Sequence, residues 1–265
     1  MTTYQFDQDI KVERLSEGRY RSRVDAGWNI GDNPNGGYLI ALVDSAIRES
    51  IVRPDPVSFT THFLRPGVAG EECEITVEIF RLGRTITNVR ATLSQEGKSR
   101  LEVLAVYSDL TEAADLVNEI SVPPRDMLGP EACIPRSADI QGIDIALIDK
   151  LDIRVHPGLS SPGESGVPAI AGWVRHRDGR SPDTRSLLLF VDCFPPSPLG
   201  VLGPVGWVPS LELTVQIRRR PSVGWIKASF ATDDLTAGRM IESGYLWDSN
   251  GALVAECRQL AIVRN

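Results

Sequence analysis

The sequence predicts an α+β fold in which a long buried helix is wrapped by an antiparallel sheet, with that unit used twice. Three observations carry the prediction. Residues 186–194 (Ser-Leu-Leu-Leu-Phe-Val-Asp-Cys-Phe) are apolar at nearly every position, so a helix built from them has no wet face and belongs inside a fold. Residues 35–47 form a second, mostly apolar run, again with a Val-Asp pair near its end, so that Val43-Asp44 can be laid over Val191-Asp192. After each run the hydrophobic period changes to two. A strand leads into a basic residue and a proline (Leu64-Arg65-Pro66; Arg219-Arg220-Pro221), and three more strand-like runs follow.

The 265 residues suffice for one large domain or two medium ones with a substantial core. Hydrophobic residues at 42% and charged residues at 24% are ordinary for a globular chain. A net charge of -7 argues against nucleic acid or an acidic membrane as a bulk partner. The four cysteines (Cys73, Cys133, Cys193, Cys257) lack CxxC spacing and read as reduced thiols, not as a disulfide framework or zinc site. His62, His156 and His176 form no ligand-like cluster, so no metal is expected. With no apolar leader and no long apolar span, the expectation is a soluble, cytoplasmic protein without a membrane span.

In chain order, residues 19–24 read as an opening strand and 27–35 as a Gly/Asn/Asp-rich loop that delivers the first helix. Asn35 is a candidate N-cap, and Gly36-Gly37 allow close backbone approach at the helix start. Free N–H groups there attract anions or carbonyl oxygens; a tight loop-to-helix turn is the equal alternative. Strands are expected at 57–64, 72–81, 85–94 and 99–107, turned at Gly83 and Glu96-Gly97. Residues 110–136 carry Pro, Glu and Asp without periodicity and read as a connection lying over the first half. An opening strand at 143–155 and a short one at 172–176 precede the second helix, capped by Ser181 or Asp183 and stopped at Pro195-Pro196. The last strands are expected at 210–219, 225–232, 239–247 and 253–263. The resulting division is 1–110, a linker at 111–142, and 143–265.

Asp192 is the only ionisable group in its run. A carboxylate there must open onto a cavity or meet partners, because stripping its water costs several kcal/mol or raises its pKa. Strict alternation places Ser210, Glu212 and Thr214 on one strand face. Gln259 is a neutral amide among apolar neighbours: a satisfied core amide, or a group that orients water. Arg218-Arg219-Arg220 is either a solvated charge run or a phosphate site.

Ser58-Phe59 followed by His62-Phe63-Leu64-Arg65-Pro66-Gly67, with Asn35-Gly36-Gly37 upstream, resembles the first half of a thioesterase II-type acyl-CoA thioesterase, a double hot-dog protein. The tail from Leu253-Val254-Ala255 through Gln259 to Val263-Arg264-Asn265 is similar to the same family's C-terminus. The resemblance implies a lipid-metabolic hydrolase that splits a fatty or other acyl-CoA by a held water and needs no cofactor. It implies the carboxylate role for Asp192, the glutamine role for Gln259, and a hydroxyl supplied by Ser210 or Thr214. Asn35, Gly36, Gly37 and Arg218, Arg219, Arg220 are the expected substrate contacts. Asp44 lies opposite Asp192, but Val103 stands where the second half has Gln259, so the first half reads as scaffold. A non-catalytic acyl-thioester binder is the alternative. A hot-dog hydratase lacks support, since no Asp-x-x-x-x-His arrangement surrounds Asp192 or Asp44. Pairing into a homo-oligomer is a further expectation of the resemblance.

Overall fold

The computed structural model describes residues 3–111 and 120–264. The first half contributes β1 (Glu13–Ser16), β2 (Arg19–Arg23), helix α1 (Gly36–Ser50), β3 (Asp55–Phe63), β4 (Glu72–Leu82), β5 (Thr87–Gln95) and β6 (Lys98–Ser108). The second contributes β7 (Leu151–Val155), β8 (Ala169–His176), helix α2 (Thr184–Phe190), β9 (Ser210–Ile217), β10 (Ile226–Thr236), β11 (Arg239–Trp247) and β12 (Leu253–Ile262). These strands and the short Ile134–Pro135 strand form one antiparallel sheet, in the order β1-β2-β4-β5-β6-β3-β9-β12-β11-β10-β8-β7 with Ile134–Pro135 at the far edge. Strand order within each half is the same, read outward from a seam where β3 pairs with β9.

Helix α1 forms where the sequence places it. The Asn35 side chain accepts from the Tyr38 N–H at 3.0 Å and satisfies one of the orphan donors of the first turn. Eleven of its residues, from Gly37 to Ile47, are buried. Helix α2 starts on an Asp183/Ser186 capping box, in which Asp183 Oδ1 accepts from Ser186 N at 2.9 Å. It is not the long helix expected: it has 7 residues and stops at Phe190, before Pro195 is reached. The Asp192 N–H turns back onto the Leu189 carbonyl, and the Asp192 carbonyl is taken by Asn35 Nδ2 at 2.7 Å. In an α-ladder the Val191 and Asp192 carbonyls would need the N–H groups of Pro195 and Pro196, which have none, so Asp192 lies in the turn after the helix and its carbonyl is free for Asn35.

The connection also differs from expectation. Of 111–142, residues 112–119 lie outside the described residues; the part that is described lies on the second half. The Trp247 indole of β11 donates to the Val122 carbonyl and the Trp173 indole of β8 to the Leu128 carbonyl, both at 2.9 Å. Two indoles, whose N–H groups need an acceptor once covered, hold this strap. The opening strand of the second half is confined to β7, because residues 146–149 form a 3-10 turn.

Candidate active site

Helices α1 and α2 meet at their ends, and the meeting is made possible by glycine. An added Cβ on Gly37 would lie 2.8 Å from the Leu189 carbonyl oxygen and 2.9 Å from that of Leu188. One on Gly36 would lie 2.9 Å from Asp192 Oδ2. With no side chains in the way, the start of α1 closes on Asp192. Its Oδ2 accepts from the Gly37 N–H at 2.9 Å and from Asn35 Nδ2 at 3.0 Å. The helix start therefore holds a carboxylate of the protein itself, and Asn35, Gly36 and Gly37 are brought to the site as its holders.

The other oxygen, Asp192 Oδ1, faces β12, where Gln259 Nε2 donates to it at 3.2 Å and also to Ser210 Oγ on β9. Burial pushes the Asp192 carboxyl up to about 6, against the opposing pull of the Gly37 N–H, the Gln259 amide and the charge of buried Arg136. Arg136 donates to the Cys193 carbonyl and to Gln141 Oε1, and burial lowers its pKa to about 10. Asp192, Ser210 and Gln259 open onto a cavity of about 430 Å³. Phe194 and Phe230, 5.4 Å apart, form part of its apolar wall. Arg65 and the exposed Arg264 lie on its lining as well.

Thr214 is not brought there. The pairing of β9 with β12 shifts register between Ser210 and Glu212, a bulge at Leu211. Ser210 pairs with buried Ala261 and faces inward with Gln259, whereas Thr214 pairs with exposed Arg258 on the opposite face. There Thr214 bonds to Glu212 and, at 3.1 Å, to Thr60. The extra residue breaks the strict alternation that put all three polar residues on one face. Arg218, Arg219 and Arg220 follow the opposite end of β9 from Ser210, and none lines the cavity. Arg220 is engaged by Asp55 at 2.7 Å and reaches Asp109 at 3.5 Å.

One cavity residue was missed by sequence reasoning. Glu242 on β11 is 8% exposed, lines the cavity, and is the cross-strand partner of Gln259. Its Oε2 accepts from the Ser197 N–H at 3.0 Å. Burial raises its pKa to about 7; Ser197 opposes the rise, and the charges of Asp192 and Asp233 reinforce it. The signal was present: Met240, Glu242, Gly244 and Leu246 occupy the inward, period-two positions of β11, and only one of them is charged.

The first half holds its own carboxylate differently. Asp44, fully buried, accepts from the Tyr107 hydroxyl at 2.5 Å and from Arg48 Nε at 2.7 Å, with Arg185 of α2 at 3.6 Å. Val103, the counterpart of Gln259, is buried and pairs across to Thr61.

Comparison with known proteins extends this geometry. Residues 24–109 match the family model of the acyl-CoA thioesterase N-terminal domain, and residues 130–263 match that of the C-terminal domain. The crystal structure of a provisionally assigned thioesterase II from Thermobifida fusca is 27% identical, covers 100% of this chain and 99% of its own, and superposes with a TM-score of 0.88. A hot-dog-fold protein of unknown function from Alicyclobacillus acidocaldarius, 18% identical over 100% of this chain and 99% of its own, superposes with a TM-score of 0.87, and the fold is a hot-dog fold. An uncharacterised protein of Mycobacterium tuberculosis is 25% identical over 270 residues, spanning 92% of this chain and 90% of its own. The chain belongs to the acyl-CoA thioesterase family described by these N- and C-terminal domains, and is a thioester hydrolase.

Proposed function

We propose that the chain hydrolyses an acyl-CoA thioester with a water held by Asp192, Gln259 and Ser210. The observation that carries the reading is the convergence of Asp192 Oδ1, Gln259 Nε2 and Ser210 Oγ beside a cavity large enough for an acyl group. Asp192 takes a proton from the water, whose oxygen adds to the thioester carbonyl carbon. The tetrahedral intermediate then collapses, the C–S bond breaks, and the departing thiolate recovers the proton from Asp192. Base catalysis of this kind contributes about 10²–10⁴-fold, and fixing the water adds a gain from orientation. No covalent acyl-enzyme is needed. Because the carboxyl titrates at about 6, the base form prevails at neutral pH.

The double hot-dog reading belongs to the same proposal, with units at 1–110 and 143–265 joined by 111–142. The shared strand order of the two halves supports it. A lipid-metabolic role and a cytoplasmic setting are part of the proposal as well. Among the described residues no helix is long and apolar enough to cross a membrane. The test is thiol release from acyl-CoA esters of increasing chain length, wild type against Asp192→Asn. Faster release by the wild type is expected. Equal rates on every ester would make the chain a binder of acyl thioesters without turnover.

A further inference from the structure

We propose that Arg136 is a positioning residue for Asp192, its buried charge favouring the proton-accepting form of that carboxylate. The use made of the base rests on the hydrolase reading; the pairing of the two charges rests on where Arg136 sits. Arg136 follows the short Ile134–Pro135 strand, inside the stretch that the sequence reads as a linker, and its N–H is fixed to the Ile153 carbonyl of β7 at 2.9 Å. The residue is 4% exposed. Its guanidinium is a fork on two neutral acceptors. Nη1 donates to the Cys193 carbonyl, in the residue next to Asp192, and Nη2 donates to Gln141 Oε1 at 2.5 Å. Gln141 is pinned in turn, since its Nε2 donates to the Gly206 carbonyl at 2.7 Å and its own carbonyl accepts from the Gly206 N–H at 3.2 Å. Swinging the guanidinium away would break both arms of the fork.

Neutral acceptors answer N–H groups and leave the charge itself unmatched. A buried cation is costly unless an anion shares its surroundings. Arg48, Arg180 and Arg220 each touch a carboxylate, whereas among the described residues Arg136 has none in ion-pair contact and its Nε meets no acceptor. The acid within reach of its field is Asp192. The charge of Arg136 opposes the rise that burial imposes on the Asp192 carboxyl, and the charge of Asp192 opposes the fall that burial imposes on the guanidinium. Lowered only to about 10, the guanidinium stays charged at neutrality. The other groups around Asp192 do not supply this. From α1 come Asn35 and the Gly37 N–H, from β12 Gln259 and Cys257, and from the turn itself Cys193, all without charge. Glu242 of β11 is an acid and works against ionisation. Arg136 is the cation of that set. Arg65 and Arg264 also line the cavity, but both are exposed and water screens them.

Titration of the Asp192 carboxyl carbon by NMR, assigned through its loss in Asp192→Asn, tests this on Arg136→Gln and Arg136→Lys. Glutamine keeps a donor for the Cys193 carbonyl and removes the charge; lysine keeps the charge. A wild-type midpoint near 6 is expected. Arg136→Gln should raise it by about one unit and carry the acidic limb of the kcat/KM profile with it. Arg136→Lys should leave it within about half a unit. A glutamine variant with the wild-type midpoint overturns the proposal, as does a lysine variant that moves as far as the glutamine one. If Arg136→Gln does not fold, the reciprocal signal decides. The Arg136 Nε resonance should follow the Asp192 midpoint in the wild type and become flat in Asp192→Asn; a signal flat in the wild type, or one that still moves in Asp192→Asn, overturns the proposal. If no acyl-CoA is hydrolysed, the hydrolase reading fails by itself, and the carboxyl titration still judges Arg136.

Discussion

Asp44 and Asp192 occupy similar places in the two halves and live under different rules. Asp44 is fully enclosed and carries two close donors, one of them a guanidinium. Asp192 is held on one oxygen by neutral N–H groups and keeps the other toward a cavity. A carboxylate beside a fixed cation is a structural ion. One whose direct hydrogen bonds come only from neutral N–H groups in a dry wall has a raised pKa. The difference teaches that two equally buried carboxylates can have different surroundings, one beside a guanidinium and one among neutral donors.

The comparison is open to direct attack. The largest effect is expected for Asp192→Asn, which should lower kcat by about 10²–10⁴-fold while leaving stability at pH 8 unchanged or higher, since a poorly solvated charge is removed. Asp44→Asn should do the reverse. It costs about 3 kcal/mol in urea unfolding, because Arg48 is left without its ion, and leaves kcat of the folded enzyme nearly intact. Equal loss of kcat in both variants would erase the distinction.

Gly37→Ala comes next. Its methyl meets α2 backbone oxygens that have little room to move, so about 1–3 kcal/mol should be lost. The Gly37 N–H also retreats from Asp192, which should carry the acidic limb of the kcat/KM profile upward from a midpoint near 6. A profile that stays in place would show that the helix start does not tune the base.

Glu242 sharpens the comparison through pH. Its folded pKa, raised from 4.5 to about 7, means that the folded chain holds more protons than the unfolded one between those values. Stability therefore falls as pH rises through that window, and Asp192 adds a similar fall from 3.8 to about 6. Glu242→Gln should reduce the loss between pH 5 and pH 8 by on the order of 2 kcal/mol, read from urea midpoints. An unchanged pH dependence would show that the residue is not held neutral. The smallest effect concerns cations. Arg65→Gln at the cavity lining should raise KM for a CoA ester by about threefold in a salt-dependent manner, while Arg218→Gln leaves it unchanged.

Much of this was legible in the chain. The period-two runs and the apolar helix starting at Asn35 stand where alternation and capping place them. Asp192 announced itself as one charge in an apolar run, and Gln259 as an amide among aliphatics. What escaped depends on contacts remote in sequence. Nothing local says that Asn35 reaches across 157 positions to take the Asp192 carbonyl. Nor does anything show that Leu211 bulges, which puts Ser210 and Thr214 on opposite faces. Arg218, Arg219 and Arg220 drew attention as a charge run, yet what counts for phosphate is proximity to the cavity. Glu242 was readable by the same alternation that found the strand.

At the crossing of the two helices, the opening turn of each faces the acid of the other: Gly37 meets Asp192, and Arg185 meets Asp44. Two identical subunits meeting this way would be bound by their two-fold symmetry to place the same residue at both contacts. Carried on one polypeptide, the two contacts are free to diverge. Glycine at one makes room for a carboxylate that faces a cavity, and arginine at the other helps to enclose its carboxylate in an ion pair.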